Sequence, residues 1–378
     1  MRPILKPGLG RVWLDPNTLQ LGRGPRRRVH RLDSAERVFL EALDGTRDTE
    51  ALLNYGERLG LTSERSLGLL NRLALEGALD DAALPTPGLA RLSIGERARL
   101  GPVVSALGLR NGLPGGGARA LERRAQQHAV VHGLGLIGAQ VARHLAAAGV
   151  GVVRPVDPGQ ADHRDTGPGA LDPAHVGKRR QEAVCRAIQR DTPSTRVAPA
   201  YPARRPDIVV LAPVERYPLE IFDGLVSAGA PHLLVRPTED EVLVGPLVLP
   251  GRTPCVHCAD LQLSESDPSW PPFLAQFGTP RSGELPAADT SLMLLAAAYA
   301  VQYALTHLDG GAPTVLGAVM SLRPPDATPV RIAIGAHGAC GCGAVYADPD
   351  AVHAGPGAVP LPAPLPTRGG FLQSDLLE

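Results

Sequence analysis

Aromatic residues are scarce in this chain, at 3% of 378 positions, and methionine is scarcer still, with three. A core must therefore be filled by leucine, valine and alanine, which the 44% hydrophobic share permits. Net charge is missing as well, because 38 Lys and Arg offset 38 Asp and Glu. That balance gives no support to a broad nucleic-acid or membrane footprint, so neither is expected as a partner. The opening Met1-Arg-Pro-Ile-Leu-Lys6 lacks the apolar region of a secretory signal. The longest apolar stretch, Leu292 to Leu305, is interrupted by Gln302 and reads as too short to span a bilayer. The expected compartment is the cytoplasm. What the chain has in excess is Gly and Pro, 43 and 38 residues, read as many loops and not as global disorder. Five cysteines in such a chain point to metal or reactivity before disulfides.

Residues 1–83 read as a small α+β unit. Arg11–Leu14, Thr18–Leu21 and Arg28–Leu32 are strand-like runs separated by Asp-Pro-Asn and Gly-Arg-Gly-Pro turns. Asp33 with Glu36 predicts a capped helix start, with Ala35, Val38, Phe39, Ala42 and Leu43 on one face. A second helix is predicted over 48–58 and a third over 63–76, with Leu67, Leu70, Leu73 and Ala74 inward. Three short strands followed by three short helices make a winged-helix pattern. Residues 84–128 read as a connector, with a hinge at Pro85–Gly88, a helix near 93–107 and a flexible break at Gly115-Gly-Gly117. Residues 129–345 alternate strands and helices, the signature of a mostly parallel sheet. Residues 346–378 are Pro/Gly-rich without periodicity and read as a mobile tail.

Ala129–His132 is a short apolar strand that runs into Gly133-Leu-Gly135-Leu-Ile-Gly138. A helix follows, then a strand ending at Asp157. In such a turn the first Gly allows the sharp bend, the second a ligand's approach and the third close helix–strand packing. The helix start offers N–H groups to a phosphate, and Asp157 stands where a carboxylate accepts from ribose hydroxyls. Gly133, Gly135, Gly138 and Asp157 are therefore the candidate nucleotide residues. The competing reading is a glycine turn present for packing alone.

Cys255-Val-His-Cys258 and Cys340-Gly-Cys342 are two paired-thiol turns about 80 residues apart. Brought together they make a closed sulfur cage, and a closed cage is a structural Zn2+ site. A disulfide is disfavoured by compartment and free thiols by the paired spacing. His257 and His337 stand nearby as alternative nitrogen ligands. Cys185, in the helical run 180–189, reads as a small buried side chain.

The two motifs in this order resemble the ThiF-type, ubiquitin-activating-like superfamily over about residues 125–345. The resemblance rests on Gly133–Gly138, Asp157, the helix start Val176-Gly-Lys-Arg-Arg-Gln-Glu-Ala183, the Gly245-Pro to Cys258 segment and Cys340-Gly-Cys342. It implies a Rossmann-like domain that adenylates the C-terminus of a peptide or small protein with ATP and Mg2+. Three departures mark the adenylation site as degenerate. The Asn and Arg expected after the ribose-binding Asp are replaced by Pro158–Asp165, with Arg164 a displaced substitute. The lysine of the Gly-x-x-Lys start is Arg180, beside Lys178. The Asp-Asn expected after the next strand is absent, and Glu215 is the nearest carboxylate. An active site would have to use Asp157, Lys178, Arg180 and Glu215.

Residues 1–83 resemble the PqqD-like precursor-peptide recognition element in Arg2-Pro, Lys6-Pro-Gly, Leu40–Thr46 and Leu73–Leu79. Such an element fused to a degenerate ThiF-type domain resembles the leader-binding component of thiazole/oxazole-modified microcin cyclodehydratases. The resemblance implies a precursor leader peptide and a YcaO-type cyclodehydratase as partners, and a homodimer is a further candidate assembly. An extended peptide would add to the edge at Arg27, Val29 and Arg31, facing Leu67, Leu70 and Asn71. The alternatives are an active adenylyltransferase and a DNA-binding regulator. Charge opposes the regulator: residues 1–83 carry 13 Lys/Arg against 12 Asp/Glu, and the third helix sets Arg65 and Arg72 against Glu64 and Glu76.

Overall fold

In a computed structural model, residues 1–23, 28–197, 205–214, 219–277 and 289–345 are described. The predicted tail falls outside them.

The chain begins with β1 (Pro3–Leu5), β2 (Arg11–Asp15), β3 (Thr18–Leu21) and β4 (Arg28–Arg31). Strands β2, β3 and β4 form an antiparallel sheet in that order. Helices α1 (Ser34–Glu41), α2 (Thr49–Arg58) and α3 (Ser63–Leu75) follow, and β5 (Leu79–Asp81) returns to pair antiparallel with β1. The capping chemistry explains the helix starts. Asp33 accepts from the Glu36 N–H at 2.8 Å while Glu36 reaches back to the Asp33 N–H at 3.0 Å. Asp48 and Thr62 cap the next two helices.

The core joins Leu19 and Leu21 of β3 to Phe39, Leu40, Leu52 and Leu73. Two inward faces differ from those expected. Helix α3 buries Ser66, Leu69, Leu70 and Leu73, leaving Leu67 and Ala74 exposed. Val38 of α1 is likewise exposed, and Leu40 takes its place in the core.

Helix α4 (Pro87–Ala90), α5 (Ile94–Asn111) and α6 (Gly116–Arg124) complete the first compact unit, Met1–Gln126 with Ala147–Gly151. The expected break at Gly115–Gly117 is instead the start of α6, with Gly116 and Gly117 set against α5. Gly115 caps the helix at φ +65°, and a Cβ on Gly117 would stand 2.2 Å from the Val104 carbonyl oxygen. Buried Lys6 ties the N-terminal segment to the end of α5, its Nζ donating to the carbonyls of Gly108 at 2.9 Å and Gly112 at 2.7 Å.

The second unit comprises Gln127–Ala146 and the described residues from Val152 onward. Its elements are β6 (His128–His132), α7 (Leu136–Ala147, whose last residue falls in the first unit), β7 (Val152–Val156), α8 (Arg180–Asp191), β8 (Arg196–Val197), β9 (Ile208–Leu211), α9 (Leu219–Ser227), β10 (His232–Pro237), β11 (Val242–Val248), α10 (Val256–Ser266), α11 (Trp270–Phe277), α12 (Thr290–Leu308), β12 (Ala318–Leu322) and β13 (Val330–Ala333). The sheet order is β13-β12-β11-β10-β9-β6-β7-β8. Strands β10 to β8 run parallel and β11 to β13 are added antiparallel, so the sheet is α/β and mixed. Parallel β6 is buried except at its last residue and carries the apolar run Ala129–Val131 between two histidines.

Helix α12 is longer than expected from the run at 292–305. Its 19 residues are long and apolar enough to cross a membrane, the only such helix among the described residues. It packs on β9, β10 and β11 through a buried face that includes Leu292, Ala296, Ala300 and Ala304. Cys185 in α8 is half-buried.

The glycines of the first unit separate two cases. Gly117→Ala should lower the melting temperature, since the new Cβ meets backbone that cannot move aside. Gly68→Ala, at an open position inside α3, should stabilise by about 1 kcal/mol. Thermal denaturation of the two variants measures both.

Candidate functional site

The chain leaves central β6 toward β7 and β8 on one side and later fills β9 and β10 on the other. This makes β6 and β9 the switch point, where open α/β sheets form a crevice at the strand carboxyl ends. Gly133 follows β6, Asp157 follows β7 and Ala212 to Val214 follow β9, so the three strand ends converge there.

The turn is built from close backbone contacts. Gly133 has φ +81°, and its Cβ would lie 2.0 Å from the Ala212 carbonyl oxygen. A Cβ on Gly138 would lie 1.7 Å from the Gly133 carbonyl oxygen. Over Gly135 the neighbours are side chains, Val214 Cγ2 at 3.1 Å and Asp165 Oδ1 at 3.4 Å from the position of a Cβ.

Asp157 is buried, and both its oxygens are engaged. Oδ2 accepts from the Leu134 N–H at 2.7 Å, and Oδ1 from the Gly159 N–H at 2.7 Å. Arg180, at the start of α8, places Nη1 3.5 Å from Asp157 Oδ1 and donates from Nε to Asp165 Oδ2 at 2.8 Å. All three side chains are 3–4% exposed. The guanidinium is thus held inside the protein between two carboxylates. Lys178 is exposed, and Arg164 points to solvent in a 3.3 Å pair with Asp162. Glu215 lies outside the described residues.

As arranged, the described groups do not fit a triphosphate: of the candidate cations among them only Arg180 is buried, it is committed to carboxylates, and Asp165 Oδ1 overlies Gly135. Asp165 was not singled out by sequence reasoning. Its partner is 15 positions away and no motif spacing announces the pair.

The four cysteines come together. Cys255 and Cys258 flank the first turn of α10, and Cys340 and Cys342 lie on the turn after β13. Sγ of Cys255 is 3.6 Å from that of Cys340 and 4.0 Å from that of Cys258, and Cys258 is 3.6 Å from Cys342. All four sulfurs lie within 4.8 Å of one another and can hold a metal ion. Tetrahedral coordination at a metal–sulfur distance of about 2.3 Å requires sulfurs about 3.8 Å apart, close to this spacing. Burial pushes the Cys255 thiol up, and the Cys340 thiol up to about 11. Burial also opposes the Cys342 thiolate, but the Ala344 N–H and the neighbouring thiols outweigh it and hold that thiol below its usual value. A bound cation would favour the ionised form of Cys255 and Cys340 against that burial. His257 and His337 are turned to other partners, Asp223 at 2.9 Å and Glu265 at 2.9 Å.

Of the expected peptide residues, Arg31 and Asn71 are exposed and Leu67 is 39% exposed, while Leu70 lies in the core at 6%. Val29 is on β4, which among the described residues is paired on one side only, with β3. Arg27 lies outside the described residues.

The fold so built is one that solved structures share. No family profile matches the chain, and no curated protein does. Solved structures match it. E. coli MccB with succinimide gives a TM-score of 0.66 at 16% identity, covering 91% of this chain and 100% of that one. The microcin C7 biosynthetic enzyme MccB in complex with N-formylated MccA gives 0.64 at 16%, covering 91% and 100%. PaaA gives 0.63 at 19%, covering 86% and 98%. At these identities the likeness establishes the fold.

Replacing Arg180 discriminates between a structural and a catalytic guanidinium. Arg180→Ala strands two buried carboxylates and should destabilise by about 3–5 kcal/mol in urea denaturation. An arginine that served only a substrate would leave the midpoint where it was.

Proposed function

We propose that this chain binds the leader of a ribosomally made precursor peptide through a winged-helix, PqqD-like element in its first 83 residues. It then presents that peptide to a YcaO-type cyclodehydratase for azoline formation. The observation that carries the non-catalytic half of this reading is the closed Asp157–Arg180–Asp165 group beneath the glycine turn. The peptide half is supported by the outer edge of β4, unpaired among the described residues and beside exposed Arg31, and by the fold shared with an MccB structure that holds N-formylated MccA. A peptide strand added to β4 would gain main-chain hydrogen bonds there and choose its sequence through flanking side chains.

We also propose that Cys255, Cys258, Cys340 and Cys342 hold a structural Zn2+. The all-sulfur donor set and its spacing suit zinc, which would tie α10 to the turn after β13 and take no part in chemistry. Purified protein should carry about one zinc per chain, and Cys258→Ser should lose metal and solubility together. Stoichiometric zinc in a variant lacking all four cysteines would refute the site.

A second reading is ATP-dependent adenylyl transfer to a peptide, favoured by the shared fold with E. coli MccB bound to ATP. ATP–pyrophosphate exchange separates the two. The scaffold reading expects exchange at background, and robust exchange abolished by Asp157→Ala would establish the transferase. Leader binding is checked by fluorescence polarisation of the full chain with candidate leaders. Arg31→Glu should weaken it severalfold without shifting the melting temperature. Unchanged affinity would move the peptide away from β4.

A further inference from the structure

The first unit contains a cavity of about 570 Å³, a size that takes a small molecule. Its long wall is one face of α5, where Arg97, Gly101, Val104, Ser105 and Gly108 follow at helical spacing. From Arg97 to Gly108 this wall runs about 16 Å along the helix axis. Leu89 of α4, Asp80 of β5 and the segment Lys6–Gly8 after β1 line the rest.

Two glycines on opposite walls have different causes. Gly8 is demanded by packing, since its Cβ would stand 2.0 Å from Ser105 Oγ. Gly101 is not, because no atom lies within 4 Å of where its Cβ would be, and it opens onto the cavity. A glycine inside a helix is unfavourable relative to alanine, and what this one leaves is room.

The walls are mainly apolar, with Leu89, Pro102 and Val104 offering the contact surface. Most of the polar groups are already engaged. Lys6 Nζ donates to the carbonyls of Gly108 and Gly112, and Asp80 Oδ1 accepts from the N–H groups of Asp81 and Gly115. The guanidinium of exposed Arg97 has no hydrogen-bond or ion-pair partner among the described residues. An uncommitted guanidinium at one end of an apolar wall matches an acid with an apolar body. An extended peptide matches it poorly. It would need main-chain partners along its length, and most of this wall is helix, whose main-chain groups bond within it.

We propose that this cavity binds a small carboxylic acid with an elongated apolar body. The chain lies along Gly101, Val104 and Gly108, and the carboxylate pairs with Arg97. The site stands independently of what β4 holds, since neither β4 nor α3 contributes to its lining.

Isothermal titration calorimetry of the full chain tests this with decanoate, which should bind saturably at about one per chain. Butyrate, with the same carboxylate and little chain, should give no measurable binding. Decanol, with the chain and no charge, should bind more weakly than decanoate. Arg97→Gln should weaken decanoate about tenfold and leave decanol unchanged. Gly101→Phe places a ring in the open space and should abolish binding of both. Melting curves establish that the variants are folded. Arg97→Gln alters only an exposed side chain, so the charge comparison holds even if Gly101→Phe unfolds. Absence of saturable decanoate binding overturns the proposal. So does binding that persists in folded Gly101→Phe, an affinity indifferent to Arg97→Gln, or decanol bound as tightly as decanoate. A trileucine amide bound more tightly than decanoate would assign the cavity to a peptide and overturn it as well.

Discussion

A guanidinium shared by two buried carboxylates governs what the ends of the parallel strands can hold. Arg180 reaches Asp165 at 2.8 Å and Asp157 at 3.5 Å with all three side chains almost wholly buried. Removing any member would leave uncompensated charge in a place water does not reach, so the group is secured by the cost of its loss. Asp157 also takes the Leu134 N–H of the glycine turn, and Asp165 closes the short 3-10 segment after β7 by accepting from the Asp162 N–H at 2.8 Å. One cation thus fixes the turn, the strand end and the start of α8.

The cysteine cluster answers a different constraint. With few aromatics, the region around α10 and β13 closes on Val248 and Ile334, with Val226, Ala259 and Val319 packed against them. Four sulfurs drawn from turns more than 80 residues apart give that region a point of closure. The two nearby histidines are held by carboxylates outside the cluster, which leaves the sulfur set chemically uniform.

Local chemistry was legible in the residues, and long-range chemistry much less so. The Asp33–Glu36 box, the approximate bounds of α2 and α3, and the three strands of the first sheet follow from neighbours a few positions apart. The inward face of α3 did not follow, because a leucine-rich helix offers several apolar stripes and only packing selects Leu69 over Leu67. Pairing of β1 with β5 spans about 75 residues and leaves no periodic mark. The glycine run before α6 reads as flexibility in isolation, yet it is demanded by the close crossing with α5. The two thiol pairs were visible because metal chemistry imposes spacing, whereas an ion pair such as Asp165 with Arg180 imposes none.

The glycine turn shows how a motif can report a fold without reporting its occupant. Two of its three glycines are required by the protein's own backbone: a side chain at Gly133 would strike the Ala212 carbonyl and one at Gly138 the Gly133 carbonyl. Those contacts exist whether or not anything binds. Only Gly135 is free of backbone above it, so only that position records a ligand's approach, and here its space is shared by Val214 and the Asp165 carboxylate. The Asp165 carboxylate that occupies this space is itself bonded to Arg180 and to the Asp162 N–H. The strand–turn–helix signature therefore fixes the position of the crevice, and the side chains that descend on Gly135 decide what enters it.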